Sequence, residues 1–96
     1  MDIKEKLKTL GININSKGFN YWILAIEFYK QNYKYGVMQI SVVYKELSKI
    51  FRTKVNNIER CMRISRIPAD EKIKKLYNYN GNITNLTFLK LICEEE

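Results

Sequence analysis

Residues 56–66 (NNIERCMRISR) constrain the fold more than any other stretch of this chain. Given a helical step of ~100° per residue, they separate into two sides. Val55, Ile58, Cys61, Met62 and Ser65 gather on one, and Asn56, Glu59, Arg60 and Arg63 on the other. The first side suits packing on a core. The second offers two guanidinium groups, an amide and a carboxylate, the side-chain types that read base edges. A helix held along one face and free along the other is what the second helix of a helix-turn-helix requires.

The flanking sequence supplies the rest of that motif. From residue 42 to 51, Val43, Tyr44, Leu47, Ile50 and Phe51 fall on one face, while Lys45, Glu46 and Lys49 fall on the other. Arg52, Thr53 and Lys54 form a short polar turn, and the next helix runs from 56 to 67. Helix, three- or four-residue turn and basic second helix give a helix-turn-helix over about residues 42–67. Pro68 lacks the amide hydrogen that a helix needs and is expected to stop it.

Apolar residues at helical spacing continue on both sides. Ile3, Leu7 and Leu10 mark a short helix over residues 3–10, which Gly11 ends. A polar connection follows, with Asn15 or Ser16 available as a cap. Residues 19–33 read as the longest helix, with Phe19, Trp22, Ile23, Ile26, Tyr29 and Tyr33 on one face. Tyr21, Leu24, Ala25 and Phe28 widen that face, so this helix is expected at the centre of the bundle. Gly36 breaks the pattern, and residues 37–40 are a short apolar piece, either a turn of helix or a packed connector. Beyond Pro68, residues 69–77 suggest a short helix with Ile73 and Leu76 inward. Asn80-Gly81 is a hairpin signal, but its flanks do not alternate and a loop is favoured. Thr84 or Asn85 would cap a last helix to about Cys93, with Leu86, Leu89, Leu91 and Ile92 as burial candidates, and residues 94–96 form an acidic tail. The expectation is one all-α domain, a bundle of about five to six helices.

Ninety-six residues with 46% hydrophobic content, seven Tyr, four Phe and one Trp are enough for a single small core. No run is long and apolar enough to span a bilayer, and the start does not resemble a secretory signal, so a cytoplasmic protein is expected. Cys61 and Cys93 stand alone and read as reduced thiols. The net charge of +7 is uneven. Residues 37–67 carry seven basic and two acidic groups, whereas residues 68–96 carry four and five. The basic middle fits the footprint of a nucleic-acid binder, or a chain simply rich in Lys, Ile, Asn and Tyr; it is the helix geometry together with this charge that points to double-stranded DNA. Histidine is absent, the two cysteines are far apart and the four glycines are scattered, which argues against an enzyme, a zinc site or a phosphate-binding loop. No cofactor and no metal are expected.

The sequence also resembles a known family. Leu10-Gly11-Ile12, Ser16-Lys17-Gly18-Phe19-Asn20-Tyr21, Ala25-Ile26, Tyr44-Lys45-Glu46-Leu47-Ser48, Ile58-Glu59-Arg60 and Met62-Arg63 look like the C-terminal effector domain of the sporulation master response regulator of spore-forming Firmicutes. Thr84-Asn85, Phe88 and Leu91-Ile92 are similar too, so the likeness spans about residues 7–92. The resemblance implies a six-helix all-α domain that binds a short DNA box in the major groove, often as a tandem pair. It matches Glu59, Arg60 and Arg63 to the family's DNA-contacting positions. Where the family often has a His after the second arginine, this chain has Ile64. Pro68 shortens the recognition helix, and the segment after it, with which the family contacts RNA polymerase, loses several residues. The family's phosphorylated receiver domain has no counterpart in this sequence. Met1 and the acidic end lead us to expect a whole gene product.

Two functions are open at this point. In the first, the chain is a sequence-specific transcriptional regulator. Asn56, Glu59, Arg60 and Arg63 are then the candidate base-contacting residues, and Lys49, Arg52, Lys54 and Arg66 the candidate phosphate contacts. Glu59 has an alternative partner in Arg63, four residues on. In the second, the chain is an interaction module that pairs with or antagonises a full-length sporulation-type regulator, with docking places among Tyr33, Tyr35, Tyr77 and Tyr79.

Overall fold

The computed structural model describes residues 2–32 and 39–94. Its elements are α1 (Ile3–Leu10), α2 (Lys17–Asn32), α3 (Ile40–Phe51), α4 (Val55–Arg66), a 3-10 turn (Ile67–Ala69), α5 (Asp70–Tyr77) and α6 (Asn85–Cys93). No strand occurs among the described residues, and the loop after Asn80-Gly81 leads directly to α6. The described residues form an all-α bundle of six helices.

Local chemistry sets the helix ends. Asp2 caps α1 by accepting from the Glu5 amide at 2.8 Å. Gly11 closes α1 at φ 96, a left-handed conformation that a residue without Cβ adopts freely. Of the two candidate caps for α2, Ser16 is the one used, its Oγ accepting from the Phe19 amide at 3.1 Å. Thr84 rather than Asn85 caps α6, accepting from the Thr87 amide. Pro68 does interrupt the α-helical ladder, but as an early residue of the 3-10 turn it leaves Arg66, Asp70 and Ile67 in right-handed helical conformation. The chain therefore runs on in a tightened helical path instead of turning away.

α2 is the hub, packing against α1, α3, α4 and α6. Trp22, Ala25 and Ile26 are fully buried on it and meet Leu7, Val43, Leu47, Ile58, Met62, Ile73, Phe88 and Leu89 in one core. The Trp22 and Phe88 rings stand edge to face with centroids 4.9 Å apart. The indole NH of Trp22 donates to the Met62 carbonyl at 3.0 Å, so the largest buried side chain leaves no polar group unpaired.

Three residues expected inside are half exposed. Ile50 is 58% exposed because the last turn of α3 turns Phe51 toward Tyr21, with ring centroids 4.7 Å apart. Leu76 is 54% exposed, since α5 turns Ile73 into the core and is too short to bury a second apolar side chain beside it. Val55, the first residue of α4, is 37% exposed. Leu86 and Leu91 are only partly buried, whereas Leu89 and Ile92 are in the core. Tyr33, Tyr35, Gly36, residues 37–38 of the apolar connector and residues 95–96 of the acidic tail lie outside the described residues.

Candidate nucleic-acid interface

Helices α3 and α4 pack on each other across a turn of residues 52–54. The turn contains no glycine. Arg52 takes the left-handed conformation at φ 51, and the Arg52 and Thr53 amides both donate to the Ser48 carbonyl. α4 starts immediately afterwards, with Lys54 as a cap whose side chain makes no capping bond.

The inner face of α4 is fixed. Ile58 and Met62 are fully buried and Ser65 is 8% exposed. Gly18 on α2 makes this close approach geometrically feasible. A Cβ there would lie 2.2 Å from Ser65 Oγ and 2.4 Å from the Cys61 carbonyl oxygen. Any other residue would push α4 outward.

The outer face presents what the periodicity predicts. Asn56, Arg60 and Arg63 are exposed, and Glu59 is half exposed. With Lys54 and Asn57 they line a shallow concavity of about 380 Å³. Arg63 Nε donates to Glu59 Oε2 at 2.9 Å, so the alternative pairing open for Glu59 is the one present in the free protein. Lys49, Arg52 and Lys54 are exposed at the end of α3 and in the turn. Ile64 is 57% exposed, an apolar side chain on a largely polar ridge.

Arg66 is the correction. Expected at the DNA backbone, it is 4% exposed. Its Nη1 donates to both Asp70 carboxylate oxygens at 2.7 and 2.8 Å and to the Ile83 carbonyl at 2.9 Å, and its Nε donates to Asn85 Oδ1 at 3.0 Å. Held by these acceptors beneath the surface, the guanidinium is out of reach of a phosphate. On the ~100° wheel Arg66 sits one turn after Met62, nearer the anchored face than the free one, and that was the signal for its burial.

Asn85, expected from sequence only as a possible helix cap, extends this network. It is 5% exposed, and its Nδ2 donates to Tyr44 Oη at 3.0 Å and to the Glu59 carbonyl at 3.2 Å. Tyr44, Glu59, Arg66, Asp70 and Asn85 thus tie α3, α4, α5 and α6 together. Burial raises the Tyr44 phenol above its ordinary range, against the opposing pull of the Asn85 hydrogen bond. The missed residue is Asn57, half buried at the start of α4, which contacts Thr53, Arg60 and Cys61 through its amide.

Burial pushes the Cys93 thiol up to about 12, which makes it a poor nucleophile. Cys61 and Cys93 are both free thiols. Among the described residues no three His, Cys, Asp or Glu side chains converge to hold a metal, and no helix is long and apolar enough to cross a membrane.

Comparison with known proteins agrees with the geometry. Searches of curated proteins and of solved structures gave no match. The family model for the C terminal of the sporulation initiation factor Spo0A matches residues 3–95, nearly the whole chain. The match takes in the whole α3–α4 unit and the buried Arg66–Asn85 network as well as the basic ridge. An all-α domain built on a helix-turn-helix, and covered by that model from α1 to α6, belongs to the Spo0A C-terminal family, the DNA-binding effector domains of sporulation transcription regulators.

Proposed function

We propose that this chain is a sequence-specific DNA-binding regulator that lays α4 in the major groove of a duplex. One observation carries the reading: Arg60 and Arg63 are exposed side by side on a helix whose opposite face is locked into the core through Ile58 and Met62. A guanidinium pairs bidentately with guanine O6 and N7 in the major groove. Asn56, near the start of α4, reaches base edges from the end of the helix that enters the groove first. Glu59 accepts from a cytosine amine when it gives up Arg63, and otherwise holds that arginine.

Lys49, Arg52 and Lys54 flank the ridge and bind phosphates, which fixes register without reading sequence. The first amides of α4 reinforce them, because its cap provides no side-chain acceptor.

Selection from a pool of random duplexes tests this reading. The wild-type chain should enrich a short motif containing guanines. Arg60→Ala and Arg63→Ala should each weaken binding to that motif by about 1–3 kcal/mol and relax one base position, with little change on random duplex. No enriched motif, or equal losses on cognate and random duplexes, would overturn it.

A further inference from the structure

Asn57 faces neither the core nor open solvent. Its Nδ2 donates to Thr53 Oγ1 at 2.9 Å, and its Oδ1 accepts from Arg60 Nη2 at 3.2 Å, with the Cys61 thiol a weaker donor at 3.7 Å. Thr53 belongs to the turn, and Arg60 is exposed on the outer ridge one helical turn beyond Asn57. One amide therefore bridges the turn of the helix-turn-helix to a guanidinium. An arginine side chain has several rotatable bonds, and fixing them at the moment of binding is unfavourable. A guanidinium already held by a neighbour meets less of that cost and is also less able to adapt to a wrong base. Nη2 carries two hydrogens, so one remains for a base edge while the other stays on Asn57.

We infer that Asn57 is a positioning residue for base recognition, its amide, anchored on Thr53, holding the Arg60 guanidinium in a reading orientation. The inference rests on the proposed DNA-reading role of Arg60. Both reading arginines are then braced from the preceding turn, but differently. Arg63 is held by a carboxylate at 2.9 Å and Arg60 by a neutral amide that is itself tied to the turn. Asn57 touches no base in this account and acts only through Arg60.

The test uses the full chain and selection from random duplexes, followed by binding to the selected motif and to its single-base variants. Wild type and Arg60→Ala first define which base position Arg60 reads. Asn57→Ala should reduce discrimination at that same position roughly fivefold, the equivalent of one exposed hydrogen bond, and leave affinity for random duplex unchanged. Thr53→Val, close in shape but without the hydroxyl, should produce a smaller loss at the same position. Asn57→Asp keeps an oxygen for Arg60 and lets Thr53 reverse its hydrogen bond. It should retain the discrimination while its added negative charge weakens all duplexes alike. Thermal melting of each variant separates loss of fold from loss of reading. If Asn57→Ala does not fold, Thr53→Val and Asn57→Asp decide the matter by the same position-specific readout.

A motif that depends on Arg60 but is read equally well by Asn57→Ala would overturn the positioning role and leave the proposed function standing. Altered preference at a position other than that of Arg60 would also overturn it, since Asn57 would then contact a base itself. Failure of the wild-type chain to enrich any motif would overturn the proposed function and this inference together.

Discussion

Arg63 and Arg66 lie less than one turn apart on α4 and meet opposite surroundings. Arg63, with 46% of its side chain exposed, holds one carboxylate. Arg66, 4% exposed, donates to four oxygens drawn from Asp70, Ile83 and Asn85. Identical chemistry on one helix thus serves two ends. Where acceptors from other elements converge on the guanidinium, it becomes a fastener between α4 and the segments that follow. Where it faces water with one neighbour on its own helix, it stays available to a partner. The anchored end of α4 and its exposed ridge are coupled, because Asn85 binds both Arg66 and the carbonyl of Glu59.

The contrast is tested most directly at Arg66. Arg66→Ala would leave the Asp70 carboxylate, 24% exposed, beside a vacated site and strand Asn85 Oδ1 and the Ile83 carbonyl. Removing one partner of a buried ion pair typically costs about 3–5 kcal/mol, and the partial exposure of Asp70 puts the expectation at about 3 kcal/mol. Urea denaturation measures it. Arg60→Ala, at an exposed position, should stay within about 0.5 kcal/mol of wild type in the same titration. If the two variants unfold at equal urea concentrations, the division between fastener and ridge is wrong.

The next effect probes how closely the ridge is seated. Gly18→Ala would place a methyl group against the Cys61 carbonyl, a backbone atom that moves only with the whole of α4. Overpacking of this kind costs about 1–3 kcal/mol. The displaced helix should also lose affinity for the selected motif although no side chain on the ridge has changed. Calorimetric unfolding together with DNA titration separates this from a purely structural cost, in which affinity per folded molecule would be unaltered.

The course of the helices was legible because each carries its burial in its spacing. Leu7 and Leu10, Trp22 and Ile26, Val43 and Leu47, Ile58 and Met62 all recur at three or four residues and are all buried. The outer ridge was legible for the same reason. Two things were hidden. The turn depends on Arg52 at positive φ, and only a glycine or asparagine there would have signalled a left-handed residue. The buried network joins Arg66 to Asn85, nineteen residues away, a pairing that no local period encodes. Its one local part, Arg66 with Asp70 at four residues, was obscured by Pro68. A proline reads as the end of a helix, whereas here the 3-10 turn carries the helical path through it.

The smallest effect lies on the exposed side. Glu59→Gln preserves the shape of the side chain and removes the charge that holds Arg63. An exposed pair four residues apart on a helix contributes about 0.3–0.5 kcal/mol, so stability should hardly move. DNA binding should respond more clearly. One negative charge leaves the surface that faces the phosphates, and Arg63 is released to neutralise one more of them. Affinity for random duplex at low salt should rise, and the slope of log K against log salt should steepen by up to about 0.9. The base-specific part of the response then assigns the carboxylate. Lost discrimination at the guanine that Arg63→Ala also relaxes would mean that Glu59 braces the arginine, as Asn57 does for Arg60. Lost discrimination at a neighbouring cytosine would mean that the carboxylate leaves Arg63 in the complex and accepts from the base. An unchanged salt slope would show that the freed Arg63 neutralises no further phosphate, so that Glu59 is not what keeps this arginine from the DNA backbone.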